Sequence, residues 1–257
     1  MALNILKKQY QQELIPLPRQ PTFHHHIEKP FTHNELESIL QKVPTKKAPG
    51  YDVIDFVILK SIFKHFPKLL LSFYNKCLNL QCFPTPLKVG IIVLFHKKEK
   101  PKSETKSYRL VSLLPTFGKI LEKLLLERLN CHLWTNNLQA ANQYGFTVNQ
   151  SSEEVIVDFI DEIEKTRSTK QLALVISLDI KGAFDQLEYN SFKTSLNNIN
   201  FHSNTKETLI DLLSDKQATL NTPQGPATLP QHRGCPRGSY TSPAFWNLVA
   251  NEVLTQS

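Results

Sequence analysis

LALVISLDIKGAFD, residues 172–185, is the stretch on which the reading of this chain turns. Its first seven residues, Leu172 to Leu178, are apolar except for Ser177 and rich in strand formers, and they run straight into Asp179. A short run of this kind reads as a strand buried on both faces. A carboxylate at the end of a buried strand is well placed to hold a hard divalent ion through oxygen. Asp179 or Asp185 can equally cap the helix that follows, and caps are the commoner use of such residues.

Outward from this stretch the pattern alternates between helices and short strands. Ser151 and Glu154 form a capping box for a helix whose Ile156, Phe159, Ile160 and Ile163 should point inward, with Glu153, Asp158, Asp161, Glu162 and Glu164 facing mostly solvent. Before it, Ile120, Leu121, Leu124, Leu125 and Leu129 mark the buried face of a long helix over about 117–134. VGIIVLF (89–95) and YRLVSLL (108–114) read as the strands of a hairpin whose tip, HKKEKPKSETKS, is basic. Thr32 and Glu35 cap a helix carrying Leu36, Ile39, Leu40 and Val43, which Pro44 stops. Helical patterns follow the KKAPGYD turn (46–52), at Phe56, Leu59, Ile62 and Phe63 and again from Phe66 to Cys77. Downstream, helices are expected around 186–199 and 205–215, a hairpin over 217–232, and a last helix from near Ser242. The order implies an α+β fold with few, short strands.

The chain has 257 residues, enough for one large or two small domains, and no internal repeat. Lys and Arg number 30 against 23 acids, a formal charge of +7, which suits a polyanionic partner without requiring one. Cys77, Cys82, Cys131 and Cys235 form no Cys-x-x-Cys pair, so they read as reduced structural thiols and not as a zinc site or a disulfide framework. Residues 1–18 lack the apolar run of a signal peptide, and no stretch reaches the ~18–20 apolar residues of a membrane span. The protein therefore reads as intracellular, with no membrane partner. His24, His25 and His26 are adjacent, so they cannot all face one ion, and a solvated loop is expected there.

Several blocks, in order, resemble the reverse transcriptases of non-LTR (LINE-type, jockey-like) retroelements. They are KKAPGYDVIDFVILK (46–60), SYRLVSLLPTFGKILEKLLLERL (107–129), QYGFTVNQSSEEVI (143–156), SLDIKGAFDQL (177–187) and RGCPRGSYTSPAFWNLVANEVL (233–254). The resemblance implies a right-hand polymerase fold with only fingers and a partial palm, the thumb absent. It places an N-terminal extension with one helix at 1–45, fingers at 46–168 and partial palm at 169–257.

It also implies partners and roles. An RNA template, a DNA primer and deoxynucleotide triphosphates are the expected partners, with two Mg²⁺ ions as cofactor, ~3.5–4 Å apart in such chemistry. Asp179 is implied as catalytic carboxylate and metal ligand, and the carbonyl of Ile180 as a second ligand. Phe184 matches the side chain that excludes a 2′-hydroxyl, the group that separates RNA from DNA. Lys97 or Lys98, with Arg109, is implied in gripping nucleotide phosphates, and Arg237 and Gly238 line the nucleotide. On charge alone the lysine-rich tip reads as a solvated loop. Trp246 and Asn247 are expected to serve packing.

The match departs from the family at particular residues. Arg237 stands where Gln is usual, Leu110 where Pro is usual, and Thr147 to Gln150 where a basic run is usual. The Ala-Asp-Asp turn that carries the family's other carboxylates has no counterpart, since no Asp-Asp pair occurs in the chain. The chain by itself is therefore expected not to polymerise. A non-catalytic nucleic-acid-binding remnant is the competing reading, followed by an unstable product without function and by a group II intron type of polymerase.

Overall fold

A computed structural model describes Asn4, Leu6, Lys7 and residues 27–147, 150–180 and 182–255. The histidine triplet at 24–26 lies outside these residues.

Helix α1 (His33–Lys42) starts at the predicted capping box: Glu35 N donates to Thr32 Oγ1 at 3.2 Å and Thr32 N donates to Glu35 Oε2 at 2.7 Å. Asp55 caps α2 (Phe56–His65) by accepting from Ile58 N, and Pro67 opens α3 (Pro67–Asn79), where a missing N–H costs nothing. The long helix α4 (Thr116–Thr135) buries all five residues that its periodicity marked. Around it pack α1, α2, α8 (Ser203–Leu212) and α9 (Thr241–Thr255). Helix α7 (Tyr189–Asn198) joins through Phe192, whose ring stacks 3.8 Å from that of Phe245 on α9. No helix among the described residues is long and apolar enough to cross a membrane.

Strands β1 (Val89–His96) and β2 (Tyr108–Leu113) form the first hairpin, with Val93 opposite Val111. Strands β3 (Gln217–Thr222) and β4 (Gly225–Pro230) form the second, with Leu220 opposite Ala227. The two hairpins join into one sheet, order β2-β1-β3-β4, through a parallel pairing that sets Gly90 beside Ala218. Leu6, Ile92, Leu110, Ala218 and Leu220 fill a small core on this sheet. Leu110 is buried there, so a side chain that fills space occupies the position where the family usually has proline.

Lys88 fastens the helical layer to the sheet. Its side chain is 3% exposed just before β1, and its Nζ lies 2.9 Å from Asp211 Oδ2 on α8, which also accepts from Phe83 N at 2.7 Å. Asp211→Ala would strand a buried ammonium. The expected loss is roughly 3 kcal/mol, at the low end for a buried pair because Asp211 is one-third exposed, and Asp211→Asn should recover part of it. Urea unfolding reads this directly, and an unchanged midpoint in Asp211→Ala would refute it.

Two expectations fail. Residues 171–180 form no strand, and Leu172, Leu174, Val175, Ile176 and Leu178 are exposed. A strand exists only through its ladder, and among the described residues none pairs with this run; the sheet is completed by β3 and β4 instead. Likewise α5 (Ser152–Ser168) keeps its predicted capping box but buries nothing, leaving Ile156, Phe159, Ile160 and Ile163 exposed. Its apolar stripe reported a face able to be covered; no described residue covers it. Of the four cysteines, Cys77 and Cys235 are buried thiols, whereas Cys82 and Cys131 are exposed.

Candidate nucleotide and nucleic-acid site

The turn Gly234–Ser239 is where distant blocks meet. Cys235 N donates to Phe184 O at 2.7 Å and Gly234 N to Leu187 O at 2.8 Å, so the turn lies along the segment that follows Asp179. On its other side Ser112 N of β2 donates to Arg237 O at 2.8 Å. Gly238 has φ +124°, and a Cβ there would stand 2.4 Å from Ser112 O, closer than any side chain can come. Arg237 Nη2 lies 3.4 Å from Asp185 Oδ2, both partly exposed. Asp185 thus has an ion-pair role that the sequence left open. A pair this exposed contributes about 0–1 kcal/mol, so it orients Arg237 more than it stabilises the fold.

Phe184 is half-buried on the short helix α6 (Ala183–Gln186). Its ring meets Phe146 edge-on at 5.6 Å and Trp246 at 6.3 Å. Asn247 does more than pack: its Nδ2 donates to Gly145 O at 2.8 Å, and its Oδ1 accepts from Gln143 Nε2 at 3.2 Å. The 143–146 block, Phe184 and α9 therefore form one aromatic and amide cluster.

In the hairpin tip Lys97 is spent on structure, since its Nζ donates to Lys106 O at 2.8 Å and its N to Ser107 O at 2.7 Å. His96 Nε2 meets Lys100 O at 2.8 Å, and Tyr108 Oη donates to Lys102 O at 3.0 Å. Lys98 and Arg109 are exposed, and no partner is described for either. Between Lys97 and Lys98, the geometry leaves Lys98 as the free charge.

Asp179 and Ile180 are exposed on the irregular 171–180 segment, and no hydrogen bond or ion pair joins Asp179 to another described residue. Among the described residues no three His, Cys, Asp or Glu side chains converge as metal ligands, and Asp185, the nearest acid in sequence, is taken by Arg237. These residues do not by themselves fit a two-ion site.

A family model described as reverse transcriptase (RNA-dependent DNA polymerase) matches residues 96–257, the part that contains the hairpin tip, the 184–187 segment and the Gly234–Ser239 turn. The chain belongs to the reverse transcriptase family. It is 27% identical over 226 residues to a 115 kDa protein attributed to the type-1 retrotransposable element R1DM of Drosophila melanogaster, covering 86% of this chain and 21% of that protein. It is 27% identical to the retrovirus-related Pol polyprotein from type-1 retrotransposable element R1 of Bradysia coprophila, with 86% and 22% covered. It is 26% identical to the RNA-directed DNA polymerase from mobile element jockey of Drosophila melanogaster, with 88% and 25% covered. The chain spans about a fifth to a quarter of the length of these relatives.

This reverse transcriptase domain rests its turn on Glu122, a buried carboxylate whose charge acts on the buried ammonium of Lys216, and sequence reasoning missed both. Glu122 of α4 is 2% exposed and accepts from Ser239 Oγ at 2.9 Å and from Tyr240 N at 2.7 Å. Burial pushes its carboxyl above the usual range, against the opposing pull of Lys216. Lys216 is equally buried; burial drives its ammonium down, Glu122 holds it up, and its Nζ has no described hydrogen-bond partner. Burial also pushes the nearby Cys235 thiol up to about 12, which keeps it protonated and inert. Glu122 was findable: it falls four residues after Gly118 and three before Leu125, inside the apolar face of α4. Lys216, between Asp215 and Gln217, carries no such signal.

Proposed function

We propose that this chain is the fingers (46–168) and first part of the palm (169–257) of a retrotransposon's RNA-directed DNA polymerase, preceded by an extension at 1–45. Its partners are then an RNA template, a DNA primer and deoxynucleotide triphosphates, met inside the cell. The observation that carries this reading is the turn around Arg237 and Gly238, bonded at once to the strand that bears Arg109 and to the segment that bears Phe184. Three separate stretches of sequence thereby surround one place. Lys98 and Arg109 offer phosphate contacts, and Phe184 a flat apolar wall for a sugar.

Asp179 and the carbonyl of Ile180 supply too few oxygens for two Mg²⁺ ions, so the chain alone binds nucleic acid without extending a primer. The test is oligonucleotide binding and primer extension with the purified chain. RNA affinity should fall steeply with salt, Lys98→Ala with Arg109→Ala should weaken binding of a deoxynucleotide triphosphate, and no nucleotide should be incorporated. Binding that ignores salt would overturn the nucleic-acid partner. Primer extension by the chain alone would overturn its inactivity.

A further inference from the structure

Away from the hairpin, two ammonium groups converge on one aromatic ring. Lys47 Nζ lies 4.6 Å and Lys123 Nζ 4.5 Å from the centre of Tyr240, and Lys47 also donates to Tyr240 Oη at 3.1 Å. A ring face attracts each cation, but the two cations repel one another. No carboxylate bridges them: Glu122 is buried and engaged with Ser239 and Tyr240 N, and no ion pair is described for Lys47 or Lys123. The charges that face Lys123 are Glu127, Lys47 and Lys42, so cations outnumber acids there. Partial burial and those two lysines push the Lys123 ammonium down, which is the condition an added anion would relieve.

The arrangement is held rigidly. Lys119 Nζ of α4 donates to Ala48 O at 3.1 Å, which pins the Lys-Ala-Pro-Gly turn to the helix that carries Lys123. Gly50 packs so closely that a Cβ would come within 2.6 Å of Pro115 N. Tyr240 is fixed through its N–H to Glu122. It also lines an open groove of about 980 Å³ between α4 and α9, whose walls include the exposed rings of Phe146 and Trp134. The two lysines reach this groove through Tyr240, while Glu127 is the charged side chain in its lining; cations beside exposed aromatic rings are the chemistry that tracks a single strand, with phosphates on the charges and bases on the rings.

We propose that Lys47, Lys123 and Tyr240 hold one phosphate of a single-stranded RNA entering this groove, a contact separate from the hairpin's grip on nucleotide phosphates. The inference rests on the nucleic-acid reading above and adds a site to it. Binding of a labelled oligoribonucleotide to the full chain, followed by anisotropy from 50 to 300 mM salt, tests it. Lys47→Ala with Lys123→Ala should weaken binding roughly tenfold at low salt and flatten the log–log slope by about 0.7, the release from one single-strand phosphate. Lys47→Arg with Lys123→Arg should keep both values. Lys64→Ala with Lys68→Ala, which removes the same charge from exposed positions elsewhere, should keep the slope. If the Lys47/Lys123 alanine pair behaves like this control, the site is refuted while the nucleic-acid reading stands. If the parent chain shows no salt-sensitive binding, both fall.

Discussion

Glu122→Ala should lower the melting temperature by roughly 10 °C. The side chain is buried, accepts two hydrogen bonds from the Ser239–Tyr240 backbone and hydroxyl, and is the acid that faces Lys216. Removing it leaves two donors unpaired, a loss of about 3–5 kcal/mol at roughly 1.5–3 kcal/mol for each hydrogen bond to a charged group, and takes away the charge that offsets Lys216. In a chain of this size each kcal/mol corresponds to about 2–4 °C. Glu122→Gln should lose less, because its amide oxygen can still accept from Ser239 and Tyr240. The pH dependence has a definite sign. Glu122 is raised in the fold, so its contribution is full below the ordinary carboxylate range and is lost as pH rises through its folded value. Lys216 is lowered, so its contribution is present above the ordinary lysine range and is lost as pH falls through its folded value. Pairing Glu122→Gln with Lys216→Met should therefore flatten the melting profile between those ranges. A Glu122→Ala melt within 1 °C of the parent would remove the pair from the account.

The second large effect is expected at Gly238. Alanine there must adopt φ +124° and place a methyl 2.4 Å from Ser112 O, so the backbone has to move. The movement breaks the bond from Ser112 N to Arg237 O that ties the turn to β2. A loss of at least about 2–3 kcal/mol is expected, from strain and the broken bond together. Thermal unfolding measures it. Because the turn also meets the 184–187 segment, Gly238→Ala should weaken nucleotide-dependent protection of Phe184 in hydrogen exchange. Parent-like stability and exchange would mean that the close approach is relaxed in solution.

Helix positions were legible because each has a local cause. Thr32 with Glu35 and Ser151 with Glu154 announce helix starts through bonds made within four residues. The stripe from Ile120 to Leu129 marks a buried face because other helices pack on that side of α4, while Glu127, Asn130 and Cys131 stay exposed on the other. The runs 172–178 and 156–163 carry equally strong apolar patterns and lie exposed. An apolar pattern states what a segment can bury, whereas burial depends on a partner surface that the segment does not encode. For the candidate site, Phe184, Arg109 and Gly238 were named through their motifs. The contacts that join them were not, because Ser112 with Arg237 is a backbone bond and the Glu122 carboxylate meets a backbone N–H at Tyr240, each across more than 100 residues, and backbone atoms leave no mark in a sequence.

The bond between β2 and the Arg237 carbonyl has a mechanical consequence. It anchors the root of the basic ribbon to the same backbone that carries Phe184, so the ribbon cannot swing as a lever about its base. Among the described residues, its far end between Lys97 and Ser107 is held by short local bonds and not by the body. If the ribbon closes over a triphosphate, as the proposed function has it, the closing motion is fingertip curling with the knuckle held still.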